Sequence, residues 1–340
     1  MTTSADTLLV RAARPDDEPG ILRLLTETMA GGPTGQRTAA FFRWKHADNP
    51  FGPSLALVAD LGGEIVGLRT FMRWRFVRDG QVVTAVRAVD TATHPQHQGR
   101  GIFTRLTRAA LAELADDTDL VFNTPNGNSL PGYLKMGWTP VGTVPIALRV
   151  RRPVAVARGA RRRRDDGDRQ RRWRCELPVA ADVLAQRAAV QVLLDQADRT
   201  PGRLRTDRDA GYLWWRYACA PGLDYRAIAL HRAGELVGLA IGRPRMRGPL
   251  AELTLSEVIV HAGDRHTARA LLRRAARAGA DHVATHLGGW PTAERVRMRA
   301  GYLVLPGQGM TLVAKPVRLA AAARLGLDDL ALSLGDLEVF

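Results

Sequence analysis

The residues of this sequence with the clearest chemical potential lie between Ala88 and Arg108. An apolar run reaches Thr93, Pro95 and Gln98-Gly99-Arg100-Gly101 follow, and apolar residues then recur at Ile102, Phe103, Leu106, Ala109, Ala110 and Leu114. That recurrence marks one face of a helix, so the order is strand, glycine loop, helix. Two glycines at a helix start let the backbone turn tightly and present consecutive N–H groups, which with the helix dipole make a site for a phosphate or pyrophosphate. Asp90 lies inside the preceding apolar strand. A carboxylate buried there is expected to titrate above its ordinary range, suited to relaying a proton or anchoring a substrate; a structural hydrogen bond to nearby backbone is the competing role. His94 and His97 belong to the loop and are expected at the surface, while His46, beside Trp44 and Asn49, could face a substrate.

These residues resemble the GCN5-related N-acetyltransferases (GNAT). Gln98-Gly99-Arg100-Gly101-Ile102-Phe103 is similar to that family's Q/R-x-x-G-x-G/A loop, with Phe103 standing where Gly or Ala is usual. The segment from Asp119 to Trp138 is similar to the family's next strand and helix: Asn126 precedes Tyr133 by seven residues, and the helix closes on Lys135-Met136-Gly137-Trp138. The resemblance implies acetyl-coenzyme A as acyl donor, its pyrophosphate held by the amides of Gln98, Gly99, Arg100, Gly101, Ile102 and Phe103, with Arg100 adding charge. It also implies that Thr91, Ala92 and Thr93, at the splayed end of the central strand, pair with the pantetheine arm and that Asn126 contacts the cofactor. Tyr133 would be general acid to the departing thiolate, and Asp90 a base or substrate anchor. No metal is expected, because the transfer requires none.

Two domains are expected from 340 residues alone. In the first, a strand over Leu8 to Ala13 precedes a helix carrying Ile21, Leu22, Leu24 and Leu25, with Asp16 and Asp17 as candidate caps. Gly31 to Gly35 breaks the chain before an aromatic helix at Phe41 to Lys45. Strands at Leu55 to Ala59 and Glu64 to Phe71 join at Gly62-Gly63, and a longer strand, Gln81 to Thr91, follows the Asp79-Gly80 turn. The pattern then returns: Trp215-Arg216 and Gly234-Glu235-Leu236-Val237-Gly238 match Trp44-Lys45 and Gly63-Glu64-Ile65-Val66-Gly67 with identical spacing. Leu253 to Val260, Thr267 to Ala278, His282 to His286 and Arg299-Ala300-Gly301-Tyr302 continue the echo, an internal duplication.

The expected fold is therefore α/β in the α+β sense: two tandem GNAT-like domains, each a mixed, mostly antiparallel sheet flanked by helices. The catalytic copy would occupy residues 1–150, an arginine-rich linker 151–175, the second copy 176–318 and a tail 319–340. The second copy reads as degenerate, with only Gly263 in its loop and about Arg297 in place of the tyrosine. The tail could return as a strand with its acidic residues in the substrate groove, although an ordinary tail is the simpler expectation.

The net charge of +15 would draw anions, but arginine supplies nearly all of it, largely between Arg149 and Arg174. Charge blocks of this kind are usually solvated linkers, and the interleaved aromatics of a nucleic-acid binder are missing, so nucleic acid is not an expected partner. No apolar run is long enough to span a bilayer, and the start lacks a signal-peptide pattern, which points to the cytoplasm. Cys175 and Cys219 have no metal or redox spacing. The expected partner is an amine-bearing acceptor, with a homodimer compatible. Alternative readings are an aminoacyl-tRNA-dependent peptidyltransferase of tandem GNAT-like fold and a non-catalytic acyl-coenzyme A-binding protein.

Overall fold

The computed structural model describes residues 7–29, 38–161, 173, 175–319 and 325–337. The Gly31 to Gly35 segment and the arginine block from Arg162 to Arg172 lie outside these residues. From the N-terminus, β1 (Leu9–Ala12) leads to α1 (Glu18–Met29), α2 (Ala39–His46), β2 (Leu55–Leu61), β3 (Glu64–Arg78), β4 (Gln81–Thr93), α3 (Ile102–Glu113), β5 (Leu120–Asn123), α4 (Leu130–Lys135) and β6 (Thr139–Val150). Next come α5 (Pro153–Arg161), α6 (Ala180–Leu184), α7 (Arg187–Gln196) and β7 (Leu204–Thr206). The first order then repeats as α8 (Ala210–Tyr217), β8 (Arg226–Arg232), β9 (Glu235–Arg247), β10 (Leu250–Val260), α9 (Arg265–Ala276), β11 (His282–Thr285), α10 (Pro291–Val296) and β12 (Leu303–Pro316). The short β13 (Leu330–Ala331) and α11 (Leu334–Leu337) close the described chain. None of the described helices is long and apolar enough to cross a membrane.

The same local chemistry builds both repeats. Gly62 and Gly63 both have positive φ, 59° and 90°, and their counterparts Ala233 and Gly234 follow at 51° and 84°. This is the type I′ geometry whose twist suits a two-residue hairpin. On β3 a Cβ at Gly67 would stand 2.7 Å from Ile102 Cγ2, and on β9 one at Gly238 would stand 2.5 Å from Thr267 Cγ2. Glycine at these two positions lets α3 and α9 lie close on their sheets. Ile102, Leu106 and Ala110 form the buried face of α3, as the periodicity predicts.

The sheet is mixed and mostly antiparallel, with helices around it, and it runs without a break through both repeats. Its order is β1-β2-β3-β4-β5-β12-β6-β11-β10-β9-β8. From β2 to β8 this order is a palindrome of the repeat, because the last strand of each copy has crossed to the other: β12 pairs with β5, β6 pairs with β11, and β6 and β12 pair with each other. Residue 150 therefore does not separate two sheets. Each copy caps the open edge of the other, which removes two unpaired strand edges.

On one side of the sheet α2 and α8 meet face to face. Trp44 and Trp215 stack with ring centroids 5.1 Å apart. Trp44 Nε1 donates to the Trp215 carbonyl at 2.8 Å, and Trp215 Nε1 returns the bond to the Trp44 carbonyl at 3.0 Å. Both rings are buried in one core cluster that draws side chains from both repeats. Trp44→Phe and Trp215→Phe should each cost about 1–3 kcal/mol, because each leaves a buried carbonyl without its donor. Their double mutant should lose less than the sum, as contacting residues do. Urea unfolding of the three variants measures this; additive losses would mean that the two bonds are independent.

Candidate active site

β4 changes register against β3 near its end. Thr70 faces Val89 and Leu68 faces Ala92, so Asp90 and Thr91 together stand opposite the single residue Arg69. This is a β-bulge, a device that re-aims side chains at the edge of a site. Asp90 takes a φ of +41° there, a left-handed conformation that aspartate tolerates better than most residues. Parallel pairing of β4 with β5 stops at Arg87↔Phe122. Beyond that point the two strands part around a cleft of about 850 Å³, lined by β4 from Ala88 to Thr93, by the glycine loop with the first turn of α3, and by residues between Asn123 and Tyr133.

At one end of the cleft, Gly99 and Gly101 both have φ of +75°, and Gly101 is the N-cap of α3 with no side chain capping it. The first-turn amides of α3 have no acceptor within the helix, and no acidic residue stands in that turn. A Cβ at either glycine would meet no protein atom within 4 Å. The cradle is thus open, and its chemistry fits an anion. Phe103, the departure from the family loop, turns its ring edge-on to Tyr133 at 5.6 Å between centroids. The bare Gly132 gives it room, since a Cβ there would come within 2.9 Å of Phe103 Cε1.

Of the residues assigned by sequence to the cofactor, Thr91, Ala92, Thr93, Gln98, Gly99, Gly101, Ile102, Phe103 and Asn126 all line this cleft, together with Asp90 and Tyr133. Arg100 does not; it is exposed, with Nη1 3.3 Å from His97 Nδ1. Asn126 spends its carboxamide oxygen on local structure, accepting from the N–H groups of Asn128 at 3.1 Å and Ser129 at 3.0 Å just before α4. His94 stands 3.6 Å from Glu27 and does not line the cleft.

Tyr133 sits on α4, 4% exposed, between the rings of Phe103 and Trp138. Its hydroxyl oxygen accepts from Arg69 Nη1 at 2.7 Å. The sequence reading did not single out Arg69 or Lys45. The signal for Arg69 was present, a charged residue inside the apolar strand Ile65-Val-Gly-Leu-Arg-Thr-Phe-Met, matching Asp90 in its own strand.

The electrostatics of Asp90 run opposite to the expectation of a raised pKa. Its Oδ2 accepts from Lys45 Nζ at 2.7 Å and pairs with His46 Nε2 at 2.8 Å. Burial pushes the carboxyl up, but the Lys45 charge and the His46 hydrogen bond outweigh it and hold Asp90 well below the usual carboxylate range. A paired, ionised carboxylate is a weak base. Burial likewise pushes the His46 imidazole down, against the pull of Asp90. His46 is therefore directed at Asp90 and, through Nδ1 at 2.9 Å, at Ser54 Oγ, and does not itself line the cleft.

The second repeat has the counterpart of this cleft, and it is filled. Glu257 sits at the register shift of β10, as Asp90 does on β4. It accepts from Tyr217 Oη at 2.6 Å, Trp290 Nε1 at 2.6 Å and Ser333 Oγ at 3.0 Å. The tail enters here: Leu334 N–H donates to the His286 carbonyl just past β11 at 2.8 Å, and Gly289 N–H donates to the Leu332 carbonyl at 2.6 Å. Asp336 is fully buried and paired with Arg208, so it lines no substrate groove, and the tail is an integral part of the core. The N-terminus of α9 is also closed, because Asp264 caps it and accepts from Thr267 N–H at 3.0 Å. Arg297, in place of the tyrosine, is tied to Glu294 and to the Tyr302 carbonyl.

Residues 9–141 match the family model described as an acetyltransferase (GNAT) domain. No match is found among curated protein sequences. Among solved structures, a conserved protein of Enterococcus faecalis V583 named as a probable N-acyltransferase has a TM-score of 0.63 at 14% identity, covering 92% of this chain and 73% of that one. A GCN5-related N-acetyltransferase of Anabaena variabilis ATCC 29413 has a TM-score of 0.62 at 12% identity, with coverage of 92% and 73%. Eis1 of Mycobacterium abscessus has 0.55 at 16% identity, with coverage of 92% and 74%. At these identities the structures share the fold. Residues 9–141 thus match a GNAT acetyltransferase domain, and the chain shares its overall fold with these structures.

The buried trio sets a pH dependence. Histidine titrates near pH 6.5 in an unfolded chain, and burial holds His46 below that value. The unfolded state therefore takes up the proton first, and stability falls as pH drops through this range. Asp90 acts in the same direction, with its contribution complete above about pH 3.9 and lost as pH falls further toward its depressed folded value. Asp90→Asn, which keeps the backbone tolerance, should cost about 3–5 kcal/mol at pH 7 by breaking the buried ion pair with Lys45. His46→Gln should flatten the slope below pH 6.5. Urea midpoints between pH 4 and 8 read both effects; unchanged midpoints in Asp90→Asn would contradict the ion pair.

Proposed function

We propose that the N-terminal half is an acetyl-coenzyme A-dependent N-acetyltransferase acting on a primary amine of a small molecule, amino sugar or peptide. The observation that carries this reading is a single cleft lined both by an uncapped, glycine-bracketed helix N-terminus and by Tyr133. Bound there, the thioester would supply the acyl group and a thiolate leaving group. Amides from Gly99 to Phe103 would hold the pyrophosphate, and the free backbone edge of β4 from Thr91 to Thr93 would align the pantetheine arm. Tyr133 would give its proton to the departing sulfur as the amine nitrogen forms its bond to the carbonyl carbon. The proton shed by the amine would pass to water, since Asp90 is held ionised by Lys45 and is poorly suited to take it.

In this reading the second repeat binds no donor. Its carboxylate-capped helix would repel a phosphate, and its cleft is closed by the tail. Its contribution is structural, supplying β12 to the outer side of β5.

Calorimetry with coenzyme A, and thiol release from acetyl-coenzyme A over a panel of amines, test this directly. Gly101→Ala should weaken coenzyme A about tenfold or more, because a side chain strains the left-handed backbone and its methyl occupies the mouth of the cradle. Tyr133→Phe should bind coenzyme A normally and lose about 10²–10⁴ in kcat. Binding without turnover on any amine would favour an acyl-coenzyme A-binding protein. Binding of aminoacyl-tRNA undisturbed by coenzyme A would favour the peptidyltransferase, and the absence of coenzyme A binding would end the proposal.

A further inference from the structure

Arg69 is fully buried at the one position of β3 that faces the bulge. Its Nη1 donates to Thr91 Oγ1 and, at 2.7 Å, to Tyr133 Oη. Nε and Nη2 have no hydrogen-bond partner among the described residues, and no carboxylate pairs with the guanidinium there. The nearby Asp90 is turned to Lys45 and His46. What surrounds Arg69 is aromatic: its Cζ lies 4.3 Å from the centroid of Phe71 and 5.2 Å from that of Tyr133. Buried arginines are ordinarily neutralised by an acid, because an unpaired charge in the interior is costly to keep. Among the other buried arginines, Arg208 follows that rule with Asp336 and Glu257.

We propose that Arg69 is a positioning residue for acyl transfer, acting through Tyr133 and therefore resting on the proton-donor role given to that tyrosine above. Two effects follow from the geometry. The Arg69 N–H occupies a lone pair of the phenol oxygen, so the phenol O–H is directed away from Arg69 and toward the cleft that Tyr133 lines. The uncancelled guanidinium then opposes the charge that forms on the oxygen when the proton leaves. In the step itself, the amine nitrogen bonds to the carbonyl carbon, the carbon–sulfur bond breaks with its electron pair on sulfur, and sulfur takes the phenol proton. The resulting phenolate lies against Arg69 until a proton returns from solvent, to which the amine has lost one. The guanidinium is in place before reaction begins, so its field is preorganised.

A double-mutant cycle with Tyr133→Phe, read as kcat alongside the calorimetric coenzyme A affinity, tests this. Arg69→Met should lower kcat about 10- to 100-fold, the range expected for a hydrogen bond to a charged group, with coenzyme A affinity within about threefold. In the Tyr133→Phe background the same substitution should change kcat by less than about twofold, because the oxygen it acts on is gone. Arg69→Lys, which keeps one donor and the charge, should restore part of the loss, and it carries the same cycle should Arg69→Met fail to fold. An equal loss in both backgrounds would make Arg69 a structural residue and overturn the inference, as would an unchanged kcat in Arg69 variants of an enzyme that requires Tyr133. If Tyr133→Phe alone left kcat intact, the proton-donor reading would fall first, and this inference with it.

Discussion

The extra residue that β4 carries opposite Arg69 is the constraint from which the rest of the site follows. An unbulged strand would keep its register with β3 and point its side chains alternately to the two faces. With two residues standing against one, β4 bends away from β5 just past Arg87, the parallel ladder ends, and a cleft opens in the middle of an otherwise closed sheet. The same irregularity turns Asp90 toward Lys45 and His46 and leaves Arg69 alone among rings. A left-handed aspartate and an unpaired guanidinium both oppose stability. Strain of that kind persists where the surrounding structure fixes it, and it gathers at functional sites.

The two repeats show what separates an open cleft from a filled one on a common scaffold. Both have the glycine under the first helix, the tryptophan on the preceding one, and a carboxylate at the shift in the central strand. They differ at the helix N-terminus, where no side chain caps the amides in one and Asp264 occupies the Thr267 amide in the other. They differ again in what fills the opening. In the second repeat the tail lays its backbone against the residues past β11, the kind of contact proposed for a pantetheine arm against β4. Arg87, from β4, also donates to the carbonyls of Asp336 and Leu337, so the tail is tied to the central strand of the first repeat.

The legible parts of this molecule were those with a local signature. The glycine loop, the spacing from Asn126 to Tyr133, the hairpin turns and the duplication all rest on residues close in sequence, and the structure places nearly all of the named residues around one cavity. The exchange of β6 and β12 depends on pairings between strands more than 130 positions apart, on which neither strand's own pattern bears. The sign of the Asp90 shift was misjudged because burial is inferable from an apolar strand, whereas the approach of Lys45 and His46 from α2 is not. The tail does return as a short strand, β13 beside β7, but Asp336 reads as a surface acid until Arg208 is seen beside it.

The central claim is that the bulge in β4 opens a seat for a nucleotide thioester which ends at the phenol of Tyr133. A crystal structure of the full chain with coenzyme A tests it most directly. The account predicts the pyrophosphate against the amides between Gly99 and Phe103, the arm along Thr91 to Thr93, and the sulfur within hydrogen-bond reach of the Tyr133 hydroxyl. Coenzyme A bound in the C-terminal repeat with the tail displaced, or lying in the first cleft with its sulfur remote from Tyr133, would contradict it.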